Sequence, residues 1–118
     1  MIEKAKPAKL FEGEEEEEWQ TLDIREALKI TEALAEPLRQ WIYLELEKGA
    51  LRQADLAKRA SEFFKKRITN VLMRYHLQRL EKAGLVRSET ETSGRRRAKI
   101  VSRAADLRIQ LRQHPDVG

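Results

Sequence analysis

Arginine and lysine carry the chemistry open to this sequence. Of its 24 basic residues, 14 lie between Lys58 and Arg103, where only 4 acidic residues offset them. A one-signed excess of that density attracts a polyanion. The plainer reading is a solvated surface. Against it, the excess is local, while the rest of the chain is mixed in sign. Its sharpest part is Arg95-Arg96-Arg97, directly after Ser93-Gly94, with Lys99 following and Arg87 before it. Such a cluster neutralises phosphate groups.

Other chemistries are poorly supplied. The chain has no Cys and only two His, His76 and His114. That removes disulfides, thiolate zinc sites, iron–sulfur clusters and cysteine nucleophiles. No metal and no cofactor is expected. There is no His–carboxylate pair at useful spacing, no Gly-rich phosphate loop and no nucleophile motif, so the chain reads as a non-enzyme. No apolar run approaches the ~20 residues that cross a bilayer. Lys4, Lys6 and Lys9 are not followed by an apolar core, as a secretory signal would require. The expected setting is the cytoplasm. The charged fraction of 37% also fits a heat-adapted source.

The cations need elements to hold them. Residues 1–22 carry three Lys and seven Glu, with an unbroken Glu14–Glu18 run, and read as an acidic, unstructured tail. Two roles stand for it. One is a solubility tail; the other is a phosphate mimic that folds back over the basic patch, with Trp19 as its anchor. Residues 23–113 read as one folded unit and 114–118 as a short tail. Asp23 with Glu26 has capping-box spacing. Ile24, Ala27, Leu28, Thr31 and Leu34 follow at helical intervals. Pro37 suits the first turn of a second helix carrying Leu38, Trp41, Ile42 and Leu46, and Gly49 suits its end. Leu51-Arg52 reads as an extended link. A third helix starts at Gln53 and continues to Ala60 or to Phe64.

The segment from Lys65 to Gly84 has apolar residues on two faces, so the spacing predicts a break near Lys66–Ile68 and a new helix over 69–82. Met73, Leu77 and Leu80 then point inward. His76 reads as a helix residue packed under the following hairpin, or else as a phosphate contact. Leu85–Thr90 and Arg95–Val101 predict two strands joined by a turn over Glu91–Gly94. Ser102 is placed to cap a last helix over 104–113, bearing Leu107, Ile109 and Leu111, which His114-Pro115 would stop.

Helices followed by a basic hairpin and a final helix make a mainly α chain with a small β-hairpin, the layout of a winged helix-turn-helix. A helix about 12 Å across fits the major groove of B-DNA while a preceding helix braces it. On that reading Asn70, Val71, Arg74, Tyr75 and Gln78 face the bases. Arg74 suits guanine, Asn70 or Gln78 suits adenine, and Val71 suits a thymine methyl. Lys65, Lys66, Arg67 and Arg79 suit phosphates. The wing, 87–101, brings Arg87, Arg95, Arg96, Arg97 and Lys99 to the backbone or the minor groove.

Two stretches carry a resemblance. Arg74-Tyr75-His76-Leu77-Gln78-Arg79-Leu80-Glu81-Lys82-Ala83-Gly84-Leu85-Val86 resembles the junction between recognition helix and wing in ArsR-type winged-helix regulators. Ala33-Leu34-Ala35-Glu36-Pro37-Leu38-Arg39 is similar to the same family's helix junction, and Leu56-Ala57 to the start of its support helix. The resemblance spans roughly residues 25–112. It implies a DNA-binding homodimer whose interface is formed by the first and last helices, here placing Leu28, Trp41, Leu107 and Leu111. Trp41 also reads as ordinary core. Two features depart from the family. The stretch from Leu56 to His76 is several residues longer than usual. The Cys of its metal-sensing members is missing, so metal sensing is not carried over.

The expectation is a sequence-specific transcription regulator, most simply a repressor, whose partners are double-stranded DNA and a second copy of itself. The alternatives are a non-specific or architectural nucleic-acid binder and a winged-helix protein-interaction module.

Overall fold

A computed structural model describes residues 18–116. Glu14–Glu17 lie outside that range, and with them the two roles weighed for the acidic tail; Trp19, the anchor expected for the second, is described, and its ring lies against Arg108.

Local capping starts the helices. Asp23 Oδ1 accepts a hydrogen bond from the Glu26 N–H at 2.8 Å, and Glu26 returns the favour to the Asp23 N–H at 3.2 Å. This closed box begins α1, Ile24–Ala33. The Glu36 carboxylate accepts from the backbone N–H groups of Leu38 and Arg39, and Pro37 occupies the first turn of α2, Pro37–Glu45. A 3-10 turn over Leu46–Lys48 follows and ends at Gly49, whose φ of 134° suits only glycine. β1 is Leu51–Arg52, α3 is Gln53–Phe64 and α4 is Asn70–Lys82. Two longer strands complete the order: β2, Val86–Ser93, and β3, Arg96–Arg103.

The break expected near Lys66–Ile68 is present. Lys65 ends α3 in the left-handed region, with φ 56° and ψ 42°. Ser61 then ties the turn together. Its hydroxyl donates to the Ala57 carbonyl at 2.8 Å and accepts from the Ile68 N–H at 2.9 Å. Ile68 is buried, and Thr69 caps α4 by accepting from the Leu72 N–H at 3.1 Å.

The three strands form one antiparallel sheet in the order β1-β3-β2. The fold is therefore a mixed α/β small domain of four helices and a three-stranded sheet. β1, expected only as an extended link, pairs with β3 through Leu51↔Val101 and Arg52↔Ile100. The hairpin is also longer than expected. β2 runs on to Ser93, opposite Arg96, so the turn is Gly94-Arg95 rather than Glu91–Gly94. Gly94 at φ 62° in the first turn position matches the twist of a hairpin.

Ile42, Leu56, Met73, Leu80, Leu85, Val86 and Val101 form the fully buried centre. Each helix from α2 to α4 and the base of the hairpin contribute to it. α1 contributes less: Ala33 is buried, but Ile24 and Leu28 are 71% and 57% exposed. Among the described residues no helix is long and apolar enough to cross a membrane.

The expected last helix is not formed. Ala104–Asp116 contains neither helix nor strand, and Ser102 is a strand residue opposite Arg87 rather than a cap. The cause is tertiary. The Tyr43 hydroxyl donates to the Ala105 carbonyl at 2.8 Å, tying the start of this segment to α2. Arg103 donates to the Tyr43 carbonyl at 2.9 Å and pairs with Asp106 at 3.1 Å. Farther along, the Arg108 guanidinium lies over the Trp19 ring at 4.0 Å. A ten-residue helix with no packed face is unstable by itself. Leu107 and Leu111 thus lie on an irregular segment, 37% and 82% exposed, and no last helix exists to form a dimer interface. Trp41 is half-buried and stacks near Phe63 and Phe64, with centroids 5.9 and 6.3 Å away.

Ser61→Ala removes both bonds of the turn and leaves the Ile68 N–H without its acceptor. A loss of about 1–3 kcal/mol in unfolding free energy is expected, measured by urea denaturation.

Candidate nucleic-acid interface

The buried stripe of α4 sets what the helix exposes. Met73 and Leu80 are fully buried and Leu77 nearly so. Asn70, Val71, Arg74, Tyr75 and Gln78 are all exposed, as are Lys82 and Arg79. The five residues assigned to base contacts therefore share the solvent side of one helix.

An open groove of about 690 Å³ separates the first turns of α4 from the hairpin. Arg52, Arg74, Arg96, Arg97 and Lys99 line it, together with Gln53, Asn70 and a single carboxylate, Glu91. Among the described residues none of these five cations has a carboxylate within ion-pair distance. Two helix N-termini also meet there. The Gln53 amide donates to the Asn70 carbonyl at 3.3 Å, joining the start of α3 to the start of α4. Arg52 makes no side-chain cap on α3, so the first N–H groups of that helix keep their partial positive charge.

Of the residues expected to contact phosphate, Arg96, Arg97 and Lys99 come together with Asn70 and Arg74. Lys65, Lys66 and Arg67 stand exposed on the α3–α4 turn, Arg87 lies near the hairpin base, Arg79 in the last turn of α4, and Arg95 at the hairpin tip; none of them lines the groove. Arg52 and Gln53 were missed from the sequence. Their signal is the Arg52↔Ile100 pairing, which a two-residue strand cannot announce.

His76 does not sit under the hairpin. It is buried between α4 and α2, where Arg39, also buried, reaches its Nδ1 at 2.9 Å. A guanidinium only donates, so Nδ1 accepts and the imidazole is neutral with its proton on Nε2. That nitrogen lies 3.8 Å from the Glu36 carboxylate. Arg39 also donates through Nε to the Ala33 carbonyl at 2.6 Å. One side chain thus ties the end of α1 and the start of α2 to the middle of α4. Burial holds the His76 pKa below its ordinary value; Arg39 and Arg79 act in the same direction, and Glu36 opposes them.

No family model and no curated protein matches this chain.

The unfolded chain takes up the His76 proton more readily than the folded one. Stability is therefore unaffected by this group above the ordinary histidine value, about 6.5, and is lost as pH falls below it toward the folded pKa. Chemical denaturation between pH 7 and pH 5 should show a steeper loss in the wild type than in His76→Asn, which keeps an acceptor for Arg39 and does not titrate.

Proposed function

We propose that this chain binds double-stranded DNA as a winged helix-turn-helix transcription regulator, with α3 as support helix, α4 as recognition helix and the β2–β3 hairpin as wing. The observation that carries the reading is the groove in which the first turns of α4, the hairpin and β1 place five cations against one carboxylate. Each partner of a duplex fits one part of it. The major groove, about 12 Å wide, takes a helix, and the phosphates beside it meet the hairpin cations. Asn70, Arg74 and Gln78 supply donors and acceptors for base edges.

The proposed active form is a homodimer. The exposed α1 face, with Ile24 and Leu28, is its pairing surface, since the C-terminal segment offers no helix. Two copies related by a two-fold axis read half-sites centred about 10 base pairs apart or a multiple of that. The setting is the cytoplasm, and repression by occupying a site is the simplest mode of action.

Gel-shift titration of the full chain against duplexes selected from a random pool tests the reading. Log affinity should fall with log salt by about 0.9 for each phosphate neutralised. Arg96→Ala and Arg97→Ala should each flatten that slope by about one unit and weaken all sequences alike, whereas Arg74→Ala and Gln78→Ala should lower the preference for selected over random duplex. Equal affinity for random and selected DNA would make the protein an architectural binder. No shift in dilute buffer would overturn the reading.

A further inference from the structure

The solvent side of α4 has an apolar centre and charged borders. At about 100° per residue, Val71, Tyr75, Gln78 and Lys82 fall along one line opposite the buried stripe. Val71 is 67% exposed and Tyr75 50%. Asn70 and Arg74 border this line on the side of the hairpin groove. Arg79 and the partly exposed Leu72 border it on the other side. Folding gains little from an apolar side chain held in water at the middle of a helix face, so the chemistry of what covers it matters.

The borders identify the cover. An apolar protein face would leave Arg74 and Arg79 without counter-charge. A major groove supplies the whole pattern. Guanine edges on its floor take Arg74, its phosphate rim takes Arg79, and the one apolar group on its floor is the C5-methyl of thymine. Val71 and Tyr75 are four residues apart, about 6 Å along the helix. That span covers about two base-pair steps of B-DNA at 3.4 Å each.

We infer that Val71 and Tyr75 are specificity-determining residues that read thymine methyl groups, so that the target carries thymine within about two base-pair steps beneath the first turns of α4. This assignment rests on the DNA-binding reading and extends it to the composition of the site.

Deoxyuridine tests it, because it differs from thymidine only in lacking that methyl. Duplexes selected by the full chain are remade with deoxyuridine at each thymine in turn, and affinities are compared for wild type, Val71→Ser and Tyr75→Ser. Wild-type affinity should fall about fourfold for each contacted methyl removed, the factor for withdrawing one buried carbon group. The penalty at one position should vanish in Val71→Ser and at a second position in Tyr75→Ser. Both side chains are exposed, so thermal melting should match the wild type and show that the variants fold. A penalty that persists unchanged in both variants reports altered duplex shape and overturns the assignment. Deoxyuridine duplexes bound as well as thymidine ones, or selected sites lacking thymine, overturn it too. In each of those outcomes the protein still binds DNA, so the DNA reading survives. Failure to bind any duplex overturns the DNA reading and this assignment together.

Discussion

Burial of Met73, Leu77 and Leu80 against the centre of the domain is the constraint on which the rest of the surface depends. A helix can hide only one stripe, so fixing these three residues also fixes what α4 presents on its other side. The hydrophobic contact sets the rotation of the helix but is tolerant of sliding along its axis. Directional bonds supply what it lacks. Thr69 caps the helix at one end, and Arg39 grips His76 at its middle. Through Arg39 the same grip includes the last carbonyl of α1. A packed face and a short polar lock thus hold the helix where the hairpin can meet its first turns.

The cations of the groove are costly neighbours. Arg96 and Arg97 are adjacent in β3, and Lys99 shares a sheet face with Arg97. Cross-strand pairing does little to neutralise them: Thr90 stands opposite Lys99 and Thr92 opposite Arg97, while Glu89 and Glu91 lie opposite Ile100 and Ala98. The two carboxylates of β2 share the ribbon face of Arg96 and Ala98, and Glu91 is the one of them that lines the groove. Five cations against that single carboxylate leave the groove with an excess of positive charge. An anion that settles there relieves repulsion as well as gaining attraction.

Legibility in the sequence followed the range of the interactions. The capping box of Asp23 and Glu26, Pro37, Gly49 and the break before Thr69 are encoded within a few residues, and each boundary was readable. The inward stripe of α4 was readable for the same reason, and with it the exposed set from Asn70 to Gln78. The misreadings involve long separations. Tyr43 and Arg103 override a helical pattern over 104–113 from 62 and 60 residues across the chain. Arg39 and His76 are 37 apart, and no spacing rule links them. Arg52 enters the groove only because a two-residue strand finds β3. The cationic character of the groove was evident from composition; which cations converge was a matter of register.

The hairpin has a mechanical consequence. Its strands are eight residues each, about 26 Å long at ~3.3 Å per residue. Only the base is clamped, by Val86 and Val101 in the core and by β1 along Leu51 and Arg52. Beyond that clamp the ribbon is a cantilever, stiffened by its own ladder and free at Gly94-Arg95. Thermal deflection of such a beam grows steeply with distance from its support. The outermost arginines therefore sweep a wider arc than Lys99, and they can follow a surface whose width varies without disturbing the helices at the fixed end.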